Sequence, residues 1–335
     1  MHQFCWLDQE FAMLTTTSLD LIMRDVFLEL PEFMPGSRTV LKLEGHHITG
    51  SIKIKPAIAL IEAAEASGLA TPGVNTFIES SSGNLGVAMS CVCASKGYRF
   101  ICVTDPMATQ ANLKAIHAYG GHTIIVDRRD ANGGFLGARI ETIQQMCAND
   151  PTCIWVNQYE HPANVQAHRE QTAQEILRTF PSPEWLFIGV GTSGTFMGCA
   201  EAFKQASPAT RLVAVDPLGS VSFNGSPGKR LIPGIGASQK PKLLDASKAD
   251  FVVSVSERDT IATCRDVARR YGILLGGSSG STLAAIATLS AQIKRGSTLV
   301  VIAPDLGEKY LDTIYDDAWV NQHFFTSHQT VELSL

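Results

Sequence analysis

Short apolar runs of strand type alternate with longer helical patterns along almost the whole chain, and this alternation is what most limits the fold. Strand-like runs fall at residues 39–43, 76–79, 100–103, 123–126, 186–188, 212–215 and 298–302. Helical periodicity marks residues 56–66, 84–95, 110–119, 136–147, 165–179, 195–205, 260–271 and 281–294. Gly68, Gly97, Gly120 and Gly272 follow helices, as left-handed C-terminal caps require. Strand, helix, strand, helix implies α/β layers with parallel sheets. At 335 residues the chain exceeds the usual size of one core, so one large or two closely packed domains are expected.

Composition removes several classes. Charged residues make up 18% and hydrophobic residues 45%, which excludes a charge-laced coiled coil and a disordered chain. A net charge of −5 with no basic block speaks against a nucleic-acid partner. Eight cysteines are too sparse for a disulfide framework. Cys91 and Cys93 sit in a helical pattern without a second metal-like pair, so they read as small buried hydrophobes, and no metal site is expected. Cys5 near His2 reads as part of a terminus. The first residues lack a basic region and carry Asp8 and Glu10, unlike a signal peptide, and no apolar run could span a bilayer. The expected location is the cytoplasm.

Three loops concentrate glycine and hydroxyl groups. Glu79-Ser80-Ser81-Ser82-Gly83-Asn84 joins a strand to a helix and offers more donors than one cap needs, which suits an anion. Gly189-Val190-Gly191-Thr192-Ser193-Gly194-Thr195 matches G-x-G-x-x-G, and Asp216 ends the next strand about 20 residues on, the spacing of a dinucleotide fingerprint. The same loop could hold a single phosphate at its helix start. Gly276-Gly277-Ser278-Ser279-Gly280-Ser281, ahead of a helix, reads alone as a Ser-capped turn. Upstream, Lys53 stands just before a helix, where it could contact phosphate, be solvated, or form a Schiff base. The irregular stretch 217–242 has the length of a functional loop.

Taken in order, these elements resemble the cysteine synthase / cystathionine β-synthase family, the fold-type II pyridoxal-phosphate enzymes. The family pattern runs G-S-x-K, S/T-S-G-N, N-Q-F/Y, G-T-G-G-T and G-x-S-x-G. This chain supplies Gly50-Ser51-Ile52-Lys53, Ser81-Ser82-Gly83-Asn84, Asn157-Gln158-Tyr159, Gly191-Thr192-Ser193-Gly194-Thr195 and Gly277-Ser278-Ser279-Gly280. The resemblance covers residues 35–320. It implies two three-layer α/β domains with largely parallel twisted sheets, tryptophan synthase β-like. Residues 1–45 would pack on the large domain, 46–155 would form a smaller mobile domain, and 156–335 a larger cofactor-binding domain with a C-terminal helix.

Within the family the likeness runs longest to the branch that joins O-phospho-L-serine to L-glutamate, through an aminoacrylate, at the start of 2,3-diaminopropionate production for siderophores. It is carried by 78–105, 112–120, 133–140, 213–220, 233–238 and 276–281. The resemblance implies pyridoxal 5′-phosphate held covalently by Lys53, which would also be the catalytic base. Asn84 would donate to the phenolic oxygen of the ring. Gly191, Thr192, Ser193, Gly194 and Thr195 would cradle the phosphate, and Ser278 would face the ring nitrogen. Ser81, Ser82 and Gln158 would grip the substrate carboxylate, and Arg139 and Tyr159 the phosphoserine head group. Partners would be small amino-acid substrates and a second copy of the chain in a homodimer, with no nucleic acid and no membrane. Three other functions stay open: a sulfide-using cysteine synthase, a nicotinamide oxidoreductase built on Gly189–Gly194 and Asp216, and a non-catalytic relative.

The chain departs from the family pattern around the lysine. The usual K-D-R is Lys53-Ile54-Lys55, the usual N-P is His46-His47-Ile48-Thr49, and N-T-P-L-V-x-L is degraded across 23–30. Ser193 stands where glycine is usual. His46 and His47 read as loop surface.

Overall fold

The computed structural model describes residues 15–130 and 133–325. The expectations about His2, Cys5, Asp8 and Glu10 lie outside the described residues. The chain begins with β1 (Phe27–Glu29), β2 (Arg38–Leu43) and α1 (Ile54–Ala66). Then come β3 (Thr76–Ser80), α2 (Asn84–Lys96), β4 (Arg99–Thr104), α3 (Gln110–Ala118), β5 (His122–Ile125), α4 (Leu136–Asn149) and β6 (Cys153–Trp155). An interrupted helix follows: α5 (Pro162–Ala167), a π-helical turn (His168–Thr172) and α6 (Ala173–Thr179). The remainder is β7 (Trp185–Gly189), α7 (Gly194–Ala206), β8 (Arg211–Pro217), β9 (Phe251–Val255), α8 (Glu257–Tyr271), α9 (Gly277–Thr288), β10 (Thr298–Ala303) and α10 (Asp317–Phe324).

Two sheets result. One has six strands in the order β1-β2-β10-β7-β8-β9, and the other four in the order β5-β4-β3-β6. Every pairing is parallel except β1 with β2. The fold is therefore α/β with two largely parallel sheets.

Strand periodicity explains the layers. In β7, Trp185 and Phe187 point into one core with Val267, Leu283 and Ile286 of α8 and α9. Leu186 and Ile188 point the other way, onto Ile176, Phe196 and Phe203 of α6 and α7. In β3, Phe77 packs with Leu60 of α1 and Val92 of α2, whereas Ile78 packs with Ile143 of α4. Each sheet thus buries both faces under helices, which is why its strands read as unbroken apolar runs.

Three strands carry little sequence signal. β1 and β6 have only three residues each, and β9 lies at the sheet edge with Val252 45% exposed. The helix expected at 165–179 is broken by the π-turn. The helix expected at 281–294 instead starts at Gly277 and ends at Thr288. Ser278 and Ser279 lie inside its first turn, and Gly276 is its N-cap without a side-chain cap bond, so the Ser-capped turn is not what forms. Cys91 and Cys93 are buried in α2. Among the described residues, no helix is long and apolar enough to cross a membrane.

Candidate active site

In open α/β sheets, ligands gather at the carboxyl ends of parallel strands. Here the loops β3–α2 and β7–α7, the start of α1 and the start of α9 converge on a cavity of about 280 Å³. Its wall brings together Lys53, Ser81, Ser82, Asn84, Arg139, Gln158, Tyr159, Gly191, Thr192 and Ser278. Ser193, Gly194 and Thr195 are not on that wall; they form the start of α7 behind it.

Lys53 is the N-cap of α1, just after Ser51, which bridges to Asp305. Among the described residues, no group hydrogen-bonds its Nζ. Burial lowers its amine from 10.5 to about 8, because an ammonium is poorly solvated there. A lysine without an ionic partner, aimed into a cavity, is an available nucleophile and base.

The β3–α2 loop divides its work. Ser81 Oγ accepts the N–H groups of Gly83 (3.2 Å) and Gly86 (3.0 Å), so this hydroxyl caps α2. Ser82 has no such commitment. Asn84 Nδ2 donates to Asp305 Oδ2 at 2.7 Å, and its Oδ1 accepts from Lys309 Nζ at 2.8 Å. Tyr310 also donates to Asp305 Oδ2, at 2.5 Å. Asp305, Lys309 and Tyr310 thus fix the Asn84 amide, and no motif in the sequence marks them. Gln158 Nε2 donates to Ser80 O at 2.9 Å, and Tyr159 Oη to the same carbonyl at 3.5 Å. Beneath them Glu79 accepts from Ser80 N, Trp155 Nε1 and Gln158 N. Burial pushes its carboxyl up to about 7 despite those bonds and the Arg139 charge.

In the β7–α7 loop, Ser193 holds φ 70° and ψ −5°, the left-handed conformation that glycine adopts without cost. That is the physical reason glycine suits this position. Gly194 is constrained by contact: a Cβ there would lie 2.1 Å from Asn164 Oδ1. Asn164 is buried and links the loop to the next wall, donating to Gln158 O (2.7 Å) and Thr192 Oγ1 (3.3 Å). Thr195 Oγ1 lies 3.2 Å from His168 Nε2.

His168 leads to a buried charge cluster. Its Nδ1 lies 3.1 Å from Thr172 Oγ1, which accepts from Lys55 Nζ at 3.3 Å. Lys55 Nζ lies 2.9 Å from both Glu44 and Glu175. Lys42 Nζ lies 3.1 Å from Glu44 and 2.9 Å from Glu175. His47 Nε2 lies 2.6 Å from Glu44 Oε2 and is buried, so the surface reading of His47 is corrected, whereas His46 is exposed. A residue that must meet Glu44 inside the fold cannot stay on the loop surface. Burial, aided by the Lys53 and Lys55 charges, pushes His168 well below its ordinary value, so it is neutral. Lys55 therefore belongs to a closed ionic core that props the start of α7.

Ser278 lines the cavity, and among the described residues its hydroxyl has no hydrogen-bond partner. Arg139 is buried, 3.3 Å from Asp105 through Nη1, and its Nε and Nη1 make no hydrogen bond. Asp216 is buried off the cavity wall, its carboxyl pushed up to about 6 by burial against hydrogen bonds from Ser220 and Ser222. It is not open to a ribose, which removes the support for a nicotinamide site.

Comparison with known proteins agrees with this geometry. Residues 26–305 match the family model described as "Pyridoxal-phosphate dependent enzyme". The chain is 42% identical over 311 residues to the N-(2-amino-2-carboxyethyl)-L-glutamate synthase of Ralstonia nicotianae, covering 92% of each. Among solved structures it is similar to O-ureido-L-serine synthase, with a TM-score of 0.84, 32% identity, and coverage of 92% of this chain and 99% of that one. It is also similar to the O-acetylserine dependent cystathionine β-synthase of Helicobacter pylori, with a TM-score of 0.84, 28% identity, and coverage of 91% and 100%.

Proposed function

The chain belongs to the family of pyridoxal-phosphate dependent enzymes, and from that premise we propose that it is a β-replacement synthase acting on O-phospho-L-serine and L-glutamate. The products are N-(2-amino-2-carboxyethyl)-L-glutamate and phosphate, which would feed 2,3-diaminopropionate and siderophore production. The observation that carries the reading is the unpartnered Lys53 amine in a cavity that also holds the unpaired N–H groups of buried Arg139. The name of the 42% identical relative supports it.

The residues present fit the cofactor. Lys53 is free to hold it covalently, and Ser278 offers an uncommitted hydroxyl for the ring nitrogen. Gly191 and Thr192 on the cavity wall, with the backbone N–H groups of Ser193, Gly194 and Thr195 behind them at the start of α7, would hold its phosphate, whereas the Ser193 hydroxyl donates to Thr192 O. Asn84 has one amide hydrogen committed to Asp305 and one left for the phenolic oxygen. When bound, pyridoxal phosphate supplies the carbonyl that takes the substrate amine and a ring that accepts electron density from Cα.

The chain's own residues supply the rest. The Lys53 amine takes the proton from the substrate Cα and returns it after the nucleophile has added. An amine near 8 is partly unprotonated at neutral pH, as a base must be. Ser82, Gln158 and the amides of the 81–84 loop grip the substrate carboxylate, while Ser81 orients those amides from its capping position. Arg139 and Tyr159 take the phosphoryl group, and the guanidinium stabilises the charge that grows as the Cβ–O bond breaks. Ser278, a neutral partner, does not keep the ring nitrogen protonated, which favours elimination and replacement.

The same reading takes the protein as a cytoplasmic homodimer. Residues 46–155 would close over the substrate, and 156–335 would carry the cofactor. The pairing of β1 and β2 into the six-stranded sheet supports that stretch of residues 1–45 packing on the larger part, whereas the turn at Ser18–Asp20 lies against α2 of the smaller one.

The test is phosphate release by holoenzyme given O-phosphoserine, with and without glutamate, beside O-acetylserine with sulfide. Glutamate-dependent phosphate release is expected. Turnover confined to O-acetylserine and sulfide would replace this reading with the cysteine synthase one, which the O-acetylserine dependent neighbour favours.

A further inference from the structure

We propose that a second chamber, opening beside the Lys53 cavity, binds the nucleophilic substrate and selects an amino acid with an additional carboxylate. The proposal rests on the β-replacement reading above and deepens it. The chamber has a volume of about 710 Å³. Met107, Leu136, Arg139, Arg230, Leu231 and Ser238 belong to both walls, so the two spaces adjoin.

The chamber's charge is one-sided. Arg129, Arg139, Lys229 and Arg230 line it, and among the described residues no Asp or Glu does, in a chain whose net charge is −5. Two of these cations are built in. Arg139 is buried with Nε and Nη1 lacking hydrogen bonds, and Asp105 is its only ion-pair partner among the described residues. Arg230 has a buried Nε without a partner, while its Nη1 donates to Ile235 O at 3.1 Å. Its nearby charges are the buried carboxyl of Asp216 and the half-buried one of Glu257, neither on the chamber wall. Buried guanidinium N–H groups left unpaired are costly, and an oxyanion that satisfies them recovers that cost.

The supporting loops are fixed. Arg129 donates to Gly133 O at 2.5 Å and lies over the Phe135 ring, 4.6 Å from its centroid. Asp130 accepts from Gly134 N and Gly137 N, holding that turn. A Cβ at Gly134 would come 2.9 Å from Ser238 Oγ, so the two loops close against each other. They are the 133–140 and 233–238 blocks, in which only Arg139 has another task, on the phosphoryl group of the first substrate.

The first substrate uses the 81–84 loop for its carboxylate and Arg139 for its phosphoryl group. What must still arrive beside Cβ is the nucleophile. Sulfide would need no cationic chamber. Glutamate brings two carboxylates, and Arg230, Lys229 and Arg129 can pair with them while its amine points towards Lys53.

The test uses holoenzyme with Lys229→Gln and Arg230→Gln. Each is expected to raise the KM for glutamate about tenfold or more while the KM for O-phosphoserine stays within about twofold. Glutarate, which has two carboxylates and no amine, should compete with glutamate and bind more weakly to both variants by calorimetry. Lys229 is exposed, so its variant keeps the test valid if Arg230→Gln misfolds. An unchanged glutamate KM, or a loss falling on O-phosphoserine or on inhibition by inorganic phosphate, would overturn the proposal in favour of a leaving-group site. If the enzyme turns over only sulfide, the parent reading fails and glutarate calorimetry decides the chamber: binding weakened by the variants sustains it, and no binding ends it.

Discussion

Glu175→Gln should be among the most damaging isosteric changes in the molecule, although it lies outside the cavity. Glu175 Oε2 is 2.9 Å from Lys42 Nζ and 2.9 Å from Lys55 Nζ, and all three side chains are at most 1% exposed. With Glu44 they form two cations against two carboxylates. Glutamine keeps the shape and removes one charge, leaving two ammonium groups to share Glu44. Breaking a buried pair from one side costs about 3–5 kcal/mol, a large share of a typical domain's stability. The shift in urea midpoint measures this. Adding Lys42→Met to Glu175→Gln removes one charge of each sign and should recover more than half the loss. A cost for Glu175→Gln below about 1 kcal/mol, or a double variant as weak as the sum of its singles, would refute the closed ionic core. The pH dependence has a definite sign. Burial works to raise Glu44, but Lys55, the His47 hydrogen bond and Lys42 overcome it and hold the carboxyl well below its ordinary 4.5. Its contribution is therefore complete above that value and lost as the pH falls through the lower folded one.

Three further outcomes are expected. Lys53→Ala should retain no cofactor after borohydride treatment and should lose turnover by about 10²–10⁴-fold or more; a variant that is fixed and active would remove Lys53 from its role. In the cofactor-free protein, the reactivity of Lys53 towards an amine reagent should rise with pH through a midpoint near 8, because reaction needs the unprotonated amine, and a midpoint near 10.5 would contradict the burial argument. Ser193→Gly should relieve the left-handed conformation and stabilise the protein by about 1 kcal/mol in thermal melting, and a fall in melting temperature would show that the Ser193 hydroxyl matters more than the backbone.

Much of the site was legible because its chemistry is local. Loops of Gly, Ser and Thr at strand-to-helix junctions are sequence-contiguous, so the sequence marks Lys53, Ser81–Asn84, Gly191, Thr192 and Ser278, which the structure brings to one cavity, while Ser193, Gly194 and Thr195 of the same motif lie behind its wall. What stayed hidden depends on distant pairing. Asp305 reaches Asn84 across 221 positions, and Glu175 reaches Lys55 across 120. His47 looked like loop surface because its partner Glu44 lies in the turn after β2, where nothing in the sequence announces that both are buried. The sequence leaves the Ser81 hydroxyl open to capping or to anion binding, and only the bonds to Gly83 and Gly86 commit it to α2. Strands β1 and β6 leave no signal in the sequence because three residues cannot display a period.

The buried charges of this low-charge chain fall into two kinds, and the difference separates support from function. Lys42, Glu44, Lys55 and Glu175 pair their charges with one another and line neither chamber, although Lys42 Nζ and Glu175 Oε1 make no hydrogen bond; what they supply is a fixed base for Thr172, His168 and the start of α7. Lys53, Arg139 and Arg230 are different. Among the described residues Lys53 has no partner, and each arginine keeps N–H groups unpaired beside a cavity, so burial costs that the fold leaves uncompensated are available to a ligand. The departure of Lys53-Ile54-Lys55 from the usual K-D-R follows the same division. Ile54 is fully buried in the apolar core with Leu60 and Phe77, so no acid sits beside Lys53, while Lys55 turns into the ionic core. An aspartate at position 54 would have to be desolvated in that apolar core without a partner, and Ile54→Asp is accordingly disfavoured for the fold itself. The altered motif is therefore compatible with an active lysine, because Lys53 owes its lowered pKa to burial and to no neighbouring acid.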